Sequence, residues 1–405
     1  MKKRSTLIIV LVALSLSFLS AQEPTQWRGT NSMGIYQAEK LMSQWPVLGP
    51  EIIWSVAGLG EGFSSPAFAN DKIYITGMVG GQGVLFVIDK SGTVSKKYEY
   101  GKEWDTSYPG TRSTVTVAGN LAYLYSGHGN LACLDLDSGK MKWTVDLIGE
   151  LQGTNITWGV TESVVVDGDR VYCSPGGKTN NVVALDRFTG KVIWACPGLG
   201  EQSAYNTPLL VQLATRKILV AMMADHILGI DVSNGKLLWS HEQKNRWSVH
   251  ANTPIYSDGA IFCFSGYGQG GVKLKLNSDG SSVTKEWFST DYDSRMGGAV
   301  LINGYIYGSG DNNREWMCID WRTGETKYKS SEVGKGVVIA SGNKLIGYSE
   351  KGELFLAEAN PTEFKLISKT KVGLGTAQHW AHPVIDNGIL YLRHGDTLIA
   401  YKVSN

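Results

Sequence analysis

Cysteine is scarce and poorly spaced for chemistry. The five residues Cys133, Cys173, Cys196, Cys263 and Cys318 are odd in number and no two are close, so the chain has neither a CxxC zinc or redox pair nor a CxxCH haem attachment. Four of them sit in apolar, strand-like runs where cysteine behaves as a small buried hydrophobe; one disulfide in an oxidising compartment is the alternative. Charge of one sign is also missing. Lys+Arg number 38 against 37 Asp+Glu, a net of +1, which excludes a nucleic-acid or anionic-membrane partner recognised by bulk charge. Long apolar runs are absent beyond the first residues, and no convincing amphipathic helix is found elsewhere.

The opening stretch has the order of an export leader. Lys2, Lys3 and Arg4 precede an apolar run from Leu7 to Leu19 and a small-residue exit at Ser20 and Ala21, the three zones of a secretory signal. The run falls short of the ~20 residues that a membrane-spanning helix needs. Residues 1–21 are therefore expected to be a signal peptide, 22–50 an N-terminal extension, and the product exported to the periplasm or secreted, with no membrane span.

What the sequence has in abundance is glycine, 49 of 405, and tryptophan, 13, scattered among short β-branched and aromatic runs that suit many short strands joined by tight turns. These runs repeat. Asp135, Asp186 and Asp231 are each followed four residues later by Gly139, Gly190 and Gly235, five later by a lysine, and eight later by Trp143, Trp194 and Trp239. The Asp can accept hydrogen bonds from backbone amides ahead of it, and the Gly supplies a left-handed residue to reverse the chain. The Trp then lies on the outgoing strand, with apolar surface to fill a seam between sheets. Weaker copies stand at Asp89, Asn277, Asp320 and Glu358, and the marks are 38 to 51 residues apart, a period that fits one four-stranded blade.

Each copy is preceded by a second hairpin, eight in all. The last repeat stops without an outer strand, whereas residues 51–56 form an outer strand with no inner strands before it. Pairing the two closes the ring and removes exposed edges. The expected fold is all-β: an eight-bladed β-propeller of four-stranded antiparallel blades spanning 51–403 as one domain, closed by its N- and C-terminal strands.

The Ala184-Leu185-Asp186, Thr189-Gly190-Lys191 and Ile193-Trp194 pattern resembles the Trp-docking motif of PQQ-like propeller repeats, shared by quinoprotein alcohol dehydrogenases and BamB-type outer-membrane assembly factors. Trp27-Arg28-Gly29 and residues 58–66 resemble the start of many exported PQQ-like repeat proteins. The resemblance is specific for fold and says little about activity.

Unusual residues collect on the links between blades and on the loops between second and third strands, which share one face of the disc. Six of seven histidines fall there, all but His241. Candidate acid or base groups are His128, His250, His379, His382 and His394. Candidate ligand-binding groups are Trp104, Arg112, Trp158, Lys178, His226, Trp247, Asn252, Arg295, Trp380 and Arg393, a dense set of stacking, titrating and anion-pairing side chains. His379, His382 and His394 also raise the question of a metal, but positions 379 and 382 point to opposite sides of an extended segment, so no metal site is assigned.

Three functions compete. A binding or scaffold protein, taking a small molecule, a glycan or a protein partner and working as a monomer, leads. A polysaccharide lyase or hydrolase using rim histidines is the alternative. The resemblance also implies PQQ with calcium in a dehydrogenase, but those enzymes clamp the quinone under adjacent cysteines, and no such pair exists in this chain.

Overall fold

The computed structural model describes residues 23–38 and 40–405; the expected signal peptide lies outside them. The described residues form eight four-stranded antiparallel sheets. Blades 1 to 7 run in chain order from the inner strand Ala67–Ala69 to the outer strand Lys365–Lys371. Blade 8 takes Val384–Asp386, Ile389–His394 and Thr397–Lys402 from the C-terminal end and its outer strand, Ile52–Val56, from the N-terminal end. That closing pair is antiparallel, with Trp54 opposite Ala400 and Val56 opposite Leu398.

The repeated Asp-Gly-Trp marks do what their chemistry requires. Asp186 Oδ1 accepts the backbone N–H of Phe188 (3.0 Å) and of Thr189 (2.8 Å), while Gly190 takes φ of 72° to turn the chain back. Each Trp then docks on the next blade. Its indole N–H donates to a carbonyl in that blade's outer turn: Trp143 to Arg187 at 3.0 Å, Trp194 to Val232 at 2.9 Å, Trp239 to Gly280 at 3.1 Å and Trp287 to Trp321 at 3.0 Å. Trp54 does the same across the closing seam, to Lys90 at 2.9 Å. The ring in most of these pairs lies over the next turn's glycine, where a side chain could not fit: a methyl at Gly235 would meet the Trp194 ring at 2.6 Å. The core is accordingly a series of clusters between successive blades, filled by Val, Ile, Leu and aromatic residues from facing strands. All five cysteines are free and buried in these strands.

Residues 23–38 thread the centre, and 40–50 run along the side. Thr25 exchanges hydrogen bonds with Val117 of the inner strand of blade 2. The chain crosses the channel to blade 7, where Ile35 bridges Ala340, and leaves along blade 8 through a bond from Met42 to the Val403 carbonyl. Trp45 is buried in the cluster shared by blades 7 and 8. Trp27 stays behind, inside the channel.

Candidate functional site: an aromatic cavity on the propeller axis

The links between blades converge on the axis, because each carries the chain from an outer edge back to the innermost strand of the next blade. Seven of the eight links contribute a wall to one cavity of about 330 Å³: Phe63, Arg112, Trp158, Tyr205, Ala251, Arg295 and Trp380 each come from a different one. Trp27 of the N-terminal segment and His382 also line it. Trp380 packs against Phe63 (ring centroids 5.0 Å) and Tyr108 (4.9 Å). Trp158 sits 6.0 Å from Tyr205, whose hydroxyl accepts the Trp158 backbone N–H at 3.2 Å.

Two guanidinium groups reach the cavity, and among the described residues no carboxylate does. Arg112 spans its own loop, donating to the carbonyls of Gly110 (2.9 Å), Ser107 (2.8 Å) and Tyr108 (2.7 Å). Arg295 is shared with an ion network: Glu350 lies at 3.2 Å and Asp311 at 3.6 Å, and both acids also face Lys335. Behind His382 lies a third guanidinium, that of Arg28, which donates to Ala299 (2.7 Å) and Val338 (3.0 Å). Burial draws Arg28 and Arg112 down to about 10, so both keep their charge at neutral pH.

The candidate histidines are dispersed. Only His382 lines the cavity, and both its nitrogens are committed. Arg28 can only donate, so His382 Nδ1 accepts from it at 2.6 Å and the proton sits on Nε2, which donates to Met296 O at 2.9 Å. Burial first, and the Arg28 charge second, hold this imidazole neutral. His250 is fully buried against Ala224 O. His379 and His394 stack on each other at 3.8 Å, with Tyr348 hydrogen-bonded to His379 and the Leu374 and Ala377 carbonyls beside His394; burial and the neighbouring His394 bring His379 down to about 4. His128 lies against Trp104, 5.5 Å between rings, and His226 pairs with Glu201. Among the described residues no three His, Cys, Asp or Glu side chains group to hold a metal.

Of the ligand-binding candidates, Arg112, Trp158, Arg295 and Trp380 share the cavity. Trp247 does not line it but lies half exposed, 6.3 Å from Trp158. The others are placed elsewhere. Trp104 is buried in its own loop, its indole N–H on Ser107 O. Asn252 is buried, its amide donating to Ser294 and Arg295 and accepting from Gly298. Lys178 is exposed on a loop of blade 3, and Arg393 is buried in the closing seam. Phe63, Tyr108, Tyr205 and Tyr267 line the cavity without having been singled out from the sequence, and Trp27, which the sequence suggests packs along the propeller side or covers one opening, lines it as well. Trp27 and Phe63 lie inside the two N-terminal motifs that resemble the start of exported PQQ-like repeat proteins, and Tyr108 lies between the candidates Trp104 and Arg112 on one link.

The buried imidazoles make stability depend on pH. Burial lowers His250 to about 4 in the folded chain, against about 6.5 unfolded, so the unfolded state binds the extra proton between those values and stability falls as pH drops from 6.5 towards 4. Glu103 and Glu162, raised by burial, act in the opposite sense, losing stability as pH rises above the ordinary carboxylate range. The term is therefore isolated by comparison with His250→Gln. Urea unfolding of the two chains is expected to show the wild type losing roughly 3 kcal/mol more than the variant between pH 7 and pH 4; parallel pH curves would refute it.

These features define an eight-bladed β-propeller of the PQQ-like repeat class with an aromatic, cationic pocket on its axis. Residues 93–330 match the family described as outer membrane protein assembly factor BamB, and the chain belongs to that family. It is 26% identical over 208 residues to outer membrane protein assembly factor BamB of Kangiella koreensis, covering 51% of this chain and 49% of that protein; the chain thus spans about half the length of this curated relative. Among solved structures, BamB from Moraxella catarrhalis superposes with a TM-score of 0.62 at 14% identity, covering 87% of this chain and 99% of that one. The quinohemoprotein alcohol dehydrogenase ADHIIG from Pseudomonas putida HK5 superposes with a TM-score of 0.58 at 12% identity, covering 87% and 76%. At these identities the two structures speak to fold.

A quinone held with calcium does not fit the residues present. Calcium takes oxygen ligands, carboxylates above all, and among the described residues no Asp or Glu lines the cavity, whose two charged side chains there are both arginine. Nor do the five buried cysteines offer an adjacent pair.

Proposed function

We propose that the chain is a non-catalytic binding factor of the cell envelope, of the outer-membrane assembly kind, with the face around the axial cavity as its working surface. The observation that carries this reading is the dispersal of the histidines: the only one at the cavity has both nitrogens committed to structure. Hydrolysis by paired carboxylates requires two acids flanking the bond to be cut, and the described residues that wall the cavity include none. What remains is a concave aromatic surface suited to holding a partner. The export leader expected at residues 1–21 and relatives named as outer membrane protein assembly factors support a periplasmic location, with a protein as the principal partner. The test is genetic. Removing the gene is expected to lower the folded fraction of β-barrel outer-membrane proteins, read from their heat-dependent migration on gels, and restoring it to reverse the loss. Unchanged folded fractions would overturn the assembly role.

A further inference from the structure

Buried positive charge in the propeller centre is out of balance. Among the described residues no carboxylate lies within 4.0 Å of Arg28 or Arg112. The acid acting on Arg112 is Glu103, which does so from beyond ion-pair contact; its oxygens accept the backbone N–H groups of Trp104 (2.8 Å) and Gly127 (2.6 Å) and the Tyr100 hydroxyl (3.0 Å). Arg295 and Lys335 balance Asp311 and Glu350 among themselves, yet Arg295 Nε is buried without an acceptor in hydrogen-bond range. Backbone carbonyls, joined at Arg28 by the neutral His382, satisfy the hydrogen-bonding of these two groups but put no counter-charge in contact with either, and a buried cation without one is costly. Bracing of its own loop accounts for the carbonyl contacts of Arg112, but Arg112 and Arg295 also present positive charge to whatever occupies an otherwise aromatic cavity.

We propose that the axial cavity binds a carboxylate carried on a ring with an apolar face, the carboxylate meeting Arg112 and Arg295 and the ring face lying against Trp380 and Trp158. Arginine recognises carboxylates through charge-assisted bonds, aromatic faces take planar apolar surface, and a volume of about 330 Å³ lies at the small end of the range of small-molecule pockets. A cationic ligand is opposed by the same guanidinium groups. Two sources carry this chemistry, an aromatic acid and a uronate unit of a glycan, whose pyranose face stacks on tryptophan in the same way. The inference rests on the cavity being a binding face and not on the assembly role, which is read separately from barrel folding in cells.

Calorimetric titration of the mature chain with 2-naphthoate and with trigalacturonate, each against a neutral counterpart (2-naphthalenemethanol, maltotriose), tests it. At least one acid is expected to bind about tenfold or more tighter than its neutral partner, and which acid does so assigns the source. Arg295→Gln and Arg112→Gln are each expected to reduce that preference severalfold, while Lys178→Gln, outside the cavity, leaves it intact. Arg112 also braces its loop, so Arg295→Gln and the weakening of binding by added salt provide readouts that survive if the Arg112 variant misfolds. Absence of binding by both acids, equal binding of acid and neutral partner, or full preference in the Arg295 variant would overturn the proposal.

Discussion

Arg393→Ala is expected to cost about 3–5 kcal/mol of stability, the size of a broken buried polar network combined with a core cavity. Arg393 belongs to blade 8 but bonds to blade 1. Its Nη1 donates to Ser64 Oγ at 2.7 Å and to the Thr76 carbonyl, its Nη2 to Gly60 O at 3.2 Å, and its Nε to Gly395 O at 2.7 Å. The side chain is fully buried, and residue 62 must be glycine to admit it, since a methyl there would sit 2.5 Å from the guanidinium. Truncation leaves the Gly60 and Gly395 carbonyls without this donor in a dry seam, each unmet buried acceptor costing roughly 1–3 kcal/mol. Burial also draws the guanidinium down to about 9, so holding the charge is itself unfavourable, and Arg393→Met, which fills the volume and removes the charge, is expected to lose less than Arg393→Ala. Arg393→Lys keeps the charge but not the fork and is expected to fall with the alanine variant. Urea midpoints for the three order them; a drop below about 1 kcal/mol for Arg393→Ala would show that the closing seam does not depend on this residue.

The seam was legible from one side only. The outer strand at 51–56 and the missing strand after residue 403 announce ring closure, because a propeller cannot leave a blade unfinished without exposing an edge. The turn marks were legible for a related reason: Asp at the corner, Gly at positive φ and Trp eight residues on from the Asp each answer a local requirement that few other residues meet. Arg393 answers a non-local one. Its place beside His394 on a loop suggested a ligand group, but the side chain turns into the gap between blades, and nothing in linear order separates an arginine facing solvent from one facing the neighbouring blade. Asn252 and His250 sit at the same kind of boundary and turn inward in the same way.

The face of the disc that carries the cavity could be deduced, since the links between blades hold the aromatic and basic residues while the opposite turns hold little beyond Asp, Asn and Gly. Depth could not. Arg112, Arg295, Trp158 and Trp380 converge because their links reach the axis, whereas His128, Lys178 and His226 lie further out on the same face. Trp27 required knowledge of a path with no repeat to guide it: an extension that pairs with blade 2 at Thr25 and with blade 7 at Ile35 must cross the channel between them.

The second large effect concerns the seams inside the ring. Trp194→Ala is expected to cost about 3–5 kcal/mol, as large-to-small changes of buried aromatics do: the ring is 7% exposed and its indole N–H is bonded to Val232 O. Trp194→Phe keeps much of the apolar contact and loses the hydrogen bond, so a loss nearer 1 kcal/mol is expected. The pairing of Trp with the next turn's glycine gives a sharper test. Gly235→Ala suffers twice, from φ of 76° and from a methyl 2.6 Å from the Trp194 ring; the first penalty persists in any background and the second vanishes once the ring is gone. The double variant should therefore be more stable than the sum of the single losses predicts, by an amount in the 0.5–3 kcal/mol range of coupled neighbours. Simple additivity would mean that Trp194 and Gly235 stabilise the seam independently, and that glycine at this turn answers to turn geometry alone.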